Sequence, residues 1–280
     1  MSILTHGKVV RLSDRLCRIT ASNPGLMTGA GTNTYIVGDN EIAIVDPGPV
    51  ESSHIDAILN SVGDRIKWVV VTHTHLDHSP AAAPIAKATG AQMVGMPPAD
   101  DLFQDKTFKP DWAMQHDDVI VADDFHLRAI HTPGHVSNHL CFLLEEEGTL
   151  LAGDHIMNGS TVVIVPPSGD MKAYIESLQR LETYPLLNIG PAHGELMDQP
   201  LETLRYLIEH RLGREAKVIE KLAAKPFSTL TTLVTQVYDD VDASLHDYAQ
   251  LSLLAHLIKL KQELRVQRMG EGDKQRWQLL

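Results

Sequence analysis

The segment Thr72-His73-Thr74-His75-Leu76-Asp77-His78-Ser79 places four metal-competent side chains within six residues, directly after the apolar run Trp68–Val71. If that run is a strand feeding a loop, the alternation of an extended backbone puts His73 and His75 on one side. A bend beyond them turns Asp77 and His78 toward a second position, so that one short segment serves two metals. Neutral imidazole nitrogens and carboxylate oxygens suit zinc, and a catalytic zinc keeps one position open for water.

Three further groups follow strand-like runs in the same manner. His131-Thr132-Pro133-Gly134-His135 comes after Phe125–Ile130, Gly153-Asp154-His155 after Leu150–Ala152, and Gly190-Pro191-Ala192-His193-Gly194 after Leu186–Ile189. Each lies where a strand ends, so all are expected to converge on one sheet edge. His131, His139 and His155 flank these motifs and are expected to support the site rather than bind metal. The remaining histidines, His54 and His256 among them, offer no chemistry by their context. Two metals sharing a water would lower its pKa and stabilise developing negative charge, so hydrolysis is the reaction class expected of such a site.

The elements that must position these residues divide by charge. Of 280 residues, the first 200 carry 12 Lys and Arg against 25 Asp and Glu, a charge of −13, whereas residues 201–280 carry 12 against 11. The expected division is a catalytic domain over 1–200 and a helical domain over 201–280. In the first, β-branched runs such as Thr34–Val37, Ile42–Val45 and Leu140–Leu144 alternate with Gly, Pro and Asp turns, the pattern of a layered α/β or α+β domain. Apolar residues at helical spacing predict a packing helix over Met171–Tyr184. After Pro200 a long apolar stripe ends at Pro226, Ser228 is expected to cap a second helix, and a third runs from about Leu245 to Leu264. Arg265–Met269, a turn through Asp273, and Lys274–Leu279 predict a small hairpin. Helix, helix, helix, hairpin is a winged-helix plan.

Only Cys17 and Cys141 are present, which excludes a disulfide framework and a cysteine zinc site, and no run of about 18 apolar residues offers a membrane span. A cytoplasmic protein that does not act at membranes is expected.

At these motifs the sequence closely resembles the metallo-β-lactamase superfamily, whose signature H-x-H-x-D-H stands intact as His73-Thr74-His75-Leu76-Asp77-His78, with the later motifs in order. The resemblance spans roughly residues 33–195 and implies a four-layer αββα sandwich with the site at one edge of its two sheets. It implies that His73, His75 and His135 hold the first metal, that Asp77, His78 and His193 hold the second, and that Asp154 bridges them. Val45-Asp46-Pro47-Gly48 matches the family's first motif, in which the aspartate supports the metal loop without binding the metal. By the same resemblance Asp77 orients or deprotonates a bridging hydroxide or water and His193 assists the leaving group. Two zinc ions per chain are implied, and iron or manganese also serve in this superfamily.

An aspartate at the bridging position points to the phosphodiesterase and thioesterase branches. Asn23-Pro24-Gly25, Gly31-Thr32-Asn33-Thr34-Tyr35 and the C-terminal winged helix resemble the β-lactamase-like protein 2 branch, which has endoribonuclease activity on single-stranded RNA. A phosphodiester such as single-stranded RNA is therefore the first expected substrate, and a small-molecule ester or thioester the alternative. A metal-stabilised binding module without turnover is the third reading. Lys259, Lys261, Arg265, Arg268, Lys274 and Arg276 give the tail a favourable sign for RNA, whereas the acidic first domain repels a long polyanion. The helical module is equally able to pack on the core or on a second subunit, which would make a homodimer.

Overall fold

The computed structural model describes residues 4–272 and 275–280; Asp273 and Lys274, expected in the hairpin turn and second strand, lie outside the described residues. The strands in chain order are β1 (Val10–Arg11), β2 (Leu16–Thr20), β3 (Asn33–Val37), β4 (Ile42–Val45), β5 (Ile66–Val70), β6 (Gln92–Gly95), β7 (Trp112–Ala113), β8 (Val119–Val121), β9 (His126–His131), β10 (Leu140–Leu144), β11 (Thr149–Gly153), β12 (Asn188–Pro191), β13 (Val266–Met269) and β14 (Arg276–Leu279). The α-helices are α1 (Ser52–Val62), α2 (Ala82–Thr89), α3 (Met171–Leu181), α4 (Pro200–Ala224), α5 (Leu230–Val237) and α6 (His246–Gln262).

Two compact units divide the chain. One comprises residues 1–132, 138–162 and 184–200, and the other residues 133–137, 163–183 and 201–280. One boundary between the units falls at Pro200, and the turn at 133–137 and the segment carrying α3 are counted with the second unit. Local pattern assigns α3 its helix, and only contacts assign it a unit.

In the first unit, β1 to β7 form a seven-stranded sheet in sequence order, and a five-stranded sheet runs β12-β11-β10-β9-β8. Strands β4, β10 and β11 are buried at every position, as befits central strands covered on both faces. Leu16, Val37, Val45 and Val70 from the larger sheet pack with Leu127, Leu140, Phe142 and Leu151 from the smaller, forming the core between them. On the opposite face of the larger sheet, Ile36, Ile44 and Val69 pack with Ile58 and Val62 of α1 and Ala82 and Ile85 of α2. A helical layer and two sheet layers of the expected sandwich are thus built inside this unit.

Two parallel pairings matter most for the site. β4 runs parallel to β5, and β11 parallel to β12, so the loops leaving each pair emerge at the same end. Asp46 follows β4, the His73–His78 loop follows β5, Asp154 follows β11 and His193 follows β12.

In the second unit, Val218 and Leu222 of α4, Leu233 and Val237 of α5, and Leu253, Leu257 and Leu260 of α6 share a core with Val266 and Trp277 of the β13–β14 hairpin. α4 starts at Pro200, where a missing N–H costs nothing, and ends ahead of Pro226, which cannot continue a helix. The second helix of this module is capped by Thr229, whose side chain accepts from Thr232 N at 3.0 Å, and not by Ser228 as expected. Ser228 donates instead to Lys225 O at 2.7 Å, and its backbone pairs with Trp277.

Candidate metal centre

Asp46 is the hub on which the His73–His78 loop is hung. Its backbone adopts φ 52°, an uncommon left-handed conformation for a residue with a Cβ. Its carboxylate accepts from Thr72 N and Thr72 Oγ1, both at 2.8 Å, and pairs with His78 Nδ1 at 3.0 Å. The loop after β4 is thereby tied to the loop after β5 through three bonds to one carboxylate. Thr72 also lies 3.0 Å from His73 Nδ1 through its hydroxyl. Thr72 escaped the sequence reading because a threonine at a strand end carries no chemical signal of its own.

The ligand-capable atoms form two groups. His73, His75, His135 and Asp154 make one and Asp77, His78 and His193 the other, with the atoms of each group all within 4.8 Å of one another. Every residue that the motifs singled out for metal binding is therefore in one of the two groups. His73 Nε2 and His75 Nδ1 are 3.0 Å apart. His78 Nε2 lies 3.4 Å from Asp77 Oδ2 and 3.5 Å from Asp154 Oδ1, and His193 Nε2 lies 3.3 Å and 3.2 Å from the same two oxygens. Asp154 thus faces members of both groups.

The donor set fits a cation. His78 Nδ1 is engaged by Asp46, and His193 Nδ1 lies 3.2 Å from Gly31 O, so the other nitrogen of each ring points inward. Both Nε2 atoms are buried, and neither makes a hydrogen bond of ordinary geometry. A neutral imidazole held with its Nδ1–H outward presents a lone pair to a carboxylate oxygen, and a divalent cation between them turns that repulsion into coordination. His135 is oriented similarly, with Nδ1 3.0 Å from Val163 O.

Burial opposes every charge in this cluster, and mutual attraction outweighs it at four groups. Despite burial, Asp77 is held well below the ordinary carboxylate range by His78 and His193, and Asp154 likewise by His193 and His78. Against the same burial, Asp154 and Asp77 push His193 up to about 10, and Asp77, Asp154 and Asp46 raise His78 well above its ordinary value. His73 goes the other way, pushed well down by burial and by His78 and His75 beside it. Such opposed shifts in one cluster make it a candidate functional site.

The supporting residues complete the frame. Asn33 donates from Nδ2 to Pro191 O at 3.0 Å and Gly194 O at 2.8 Å, clamping both ends of the His193 turn. Thr34 Oγ1 donates to Asp46 O at 2.7 Å and lies 2.8 Å from His54 Nε2, so His54, without chemistry by its context, is buried scaffolding for the aspartate loop. Gly153 has φ 51°, and a Cβ there would lie 2.6 Å from Thr72 Oγ1 and 2.7 Å from His139 Nε2, so only glycine lets β11 pass the loop. His139 is anchored to Thr132 Oγ1 at 2.9 Å.

Residues 27–193 match the metallo-beta-lactamase superfamily, and residues 229–277 match the beta-lactamase associated winged helix domain. With the two-sheet fold and this site, the chain belongs to the metallo-β-lactamase superfamily and is a hydrolase of that class, whose fold implies a divalent metal. It is 32% identical over 260 residues to the β-lactamase-like protein 2 homolog of Caenorhabditis elegans, covering 86% of this chain and 82% of that protein. It is 31% identical over 245 residues to the atrochrysone carboxyl ACP thioesterase of Passalora fulva, covering 82% and 70%. The crystal structure of a β-lactamase domain protein from Burkholderia ambifaria shares the fold at a TM-score of 0.83 and 19% identity, over 100% of this chain and 95% of that one. Among the described residues no helix is long and apolar enough to cross a membrane.

Proposed function

We propose that the protein is a two-zinc hydrolase, with His73, His75 and His135 holding one ion, Asp77, His78 and His193 the other, and Asp154 shared. The observation that carries this reading is the pair of adjoining ligand groups, each tight enough for one ion and both facing Asp154. When bound, two such ions lower the pKa of water toward neutrality and offset negative charge on the reacting oxygen. Asp77, at 28% side-chain exposure the most open of the second group, orients the attacking water and takes its proton. His193, whose Nδ1 faces Gly31 O, would offer Nε2 to the second ion and assists the leaving group through that ion rather than by passing a proton. Asp46 fixes the tautomer and direction of His78 and does not touch substrate.

The substrate we favour is a small-molecule thioester or ester, split by water into a carboxylate and a thiol or alcohol. The acidic charge of residues 1–200 supports it, because no long polyanion is needed. So does the Passalora fulva relative, which is named a thioesterase. Lys259, expected among the RNA-facing cations, is instead 8% exposed and bonded to Glu215 Oε2 at 2.6 Å. A phosphodiester such as single-stranded RNA is the second reading, favoured by the shared carboxylate of Asp154 and by the similarity to β-lactamase-like protein 2.

Metal content per chain, measured alongside hydrolysis of a thioester and of bis(p-nitrophenyl) phosphate by one preparation, tests this. About two zinc ions with thioester turnover are expected, and His75→Ala should lose both turnover and metal. Fully metallated protein inert toward both substrates would overturn the hydrolytic assignment. Turnover of the phosphodiester alone would put the second reading first.

A further inference from the structure

Ten large apolar side chains stand exposed among the described residues of the first unit, and six of them sit on loops hydrogen-bonded to the candidate centre. Leu26 and Met27 occupy the tip of a tight 25–29 turn, closed by Gly29 N donating to Gly25 O at 2.8 Å. Two residues beyond that turn, Gly31 O contacts His193 Nδ1. Val50 belongs to the loop after Asp46, in which Gly48 N donates to His78 O at 2.8 Å. Leu76 lies between His75 and Asp77. Leu102 and Phe103 are carried by a loop whose Gln104 forms an antiparallel bridge with His75, while Asp105 N donates to Thr74 O at 2.6 Å. That register sets Phe103 opposite Leu76.

Single exposed apolar residues are ordinary, but six carried by the loops that hydrogen-bond to the centre, with Leu102 at 96% exposure, offer apolar surface to a ligand bound there. The same loops are poor in positive charge. Over residues 23–31, 47–51 and 97–107 the one cation is Lys106, whose Nζ donates to Ala99 O at 2.5 Å, against Glu51, Asp100, Asp101 and Asp105. A phosphate backbone would be repelled here, and hydrocarbon would be held.

We infer that these loops form an apolar collar that receives the acyl chain of the scissile ester or thioester, with Leu102 and Phe103 as determinants of acyl length. The inference rests on the ester reading above. Each methylene that enters the collar leaves water, which favours longer acyl groups by about two- to fourfold per methylene until the collar is filled.

The test is kcat/KM of the zinc-loaded full chain across straight-chain acyl thioesters from acetyl to decanoyl, with bis(p-nitrophenyl) phosphate assayed in parallel. The expected result is a rising series in which Leu102→Ser and Phe103→Ser each lower the decanoyl-to-acetyl ratio by about tenfold, while Phe103→Leu keeps it. Both side chains are exposed, so these variants leave the cores intact. A flat series, or a ratio unmoved by both serine variants, overturns the collar while leaving ester hydrolysis standing. A flat series with a concentration-dependent dimer that Leu102→Ser abolishes would give the patch to a second copy and also overturn it. Phosphodiester turnover without any thioester turnover removes the ester reading itself.

Discussion

The winged-helix module and the metal-site loops both bury charge, and they arrange it in opposite ways. In the module the charges are closed into pairs: Arg214 meets Asp240 through two bonds of 2.6 Å, and Glu215 receives Lys259 at 2.6 Å and Arg265 at 3.0 Å. Burial alone would lower Lys259, yet its bonds to Glu215 and Glu263 hold it above its ordinary value. At the loops, inward nitrogens of His78 and His193 converge with the carboxylates of Asp77 and Asp154 at 3.2 to 3.5 Å, several groups sharing one another rather than closing into separate pairs. A pair that is complete by itself serves the fold, whereas groups converging on one point are the arrangement that can hold a ligand. The backbone repeats the contrast, because Arg214, Glu215 and Lys259 ride on α4 and α6, whereas the loop cluster depends on an aspartate in a left-handed conformation.

The comparison breaks most visibly at Glu215. Glu215→Ala leaves the buried Lys259 with Glu263 alone at 2.9 Å and should cost about 3 kcal/mol in urea unfolding, whereas replacing Glu215 and Lys259 together by Leu and Met should restore most of it. Equal losses in the single and double variants would mean that the pair is not what the module rests on. The next effect lies at His54, whose pKa burial pushes down to about 4 from an ordinary value of 6.5. The unfolded chain then binds a proton that the folded chain refuses between those values, so stability present above pH 6.5 is lost as pH falls toward 4. At about 1.4 kcal/mol per pKa unit the loss is roughly 3 kcal/mol. Unfolding of wild type and His54→Gln at pH 7 and pH 4.5 reads it, the variant being expected to show the flatter dependence; parallel pH profiles would remove His54 as the cause.

A smaller effect sharpens the loop side. Asp46→Asn keeps the shape but presents an amide donor toward His78 Nδ1–H, and zinc affinity by competitive chelator titration should fall about 10- to 100-fold. Unchanged affinity would show that the loop orders His78 without the aspartate. The smallest is Thr229→Ala, which removes the cap of α5 and should cost about 1 kcal/mol in thermal or urea unfolding with zinc content unchanged. A change in zinc content with this variant would contradict the separation between the two kinds of buried charge.

Much of the site was legible because its chemistry is concentrated in short motifs at strand ends: the His73–His78 segment, Asp154 and His193 could each be picked out from residue type and flanking pattern. Short, buried strands such as β4 and β10 announced themselves by continuous apolar runs. β2 and β6 did not, since Leu16–Thr20 contains a cysteine and an arginine, and Gln92–Gly95 is too brief for a period. Thr72, Asn33 and His54 were invisible for another reason. Their roles are hydrogen bonds to residues 26, 158 and 20 positions away, and nothing local encodes such partners. Ser228 and Thr229 are adjacent and equally able to cap, and the choice fell to Thr229 once Ser228 was taken by the hairpin strand.

The sequence by itself determined which side chains can bind metal, where strands deliver them, and that a helical module with a hairpin follows an acidic layered domain. These are consequences of residue type and local period, which the chain carries before it folds. Tertiary structure alone decided that Asp46 holds its loop to the next through Thr72 as well as His78, that α3 belongs with the second unit, and that Lys259 is buried rather than presented. Each of those depends on which distant segments meet, because burial and hydrogen-bond completion are properties of contacts and not of residues.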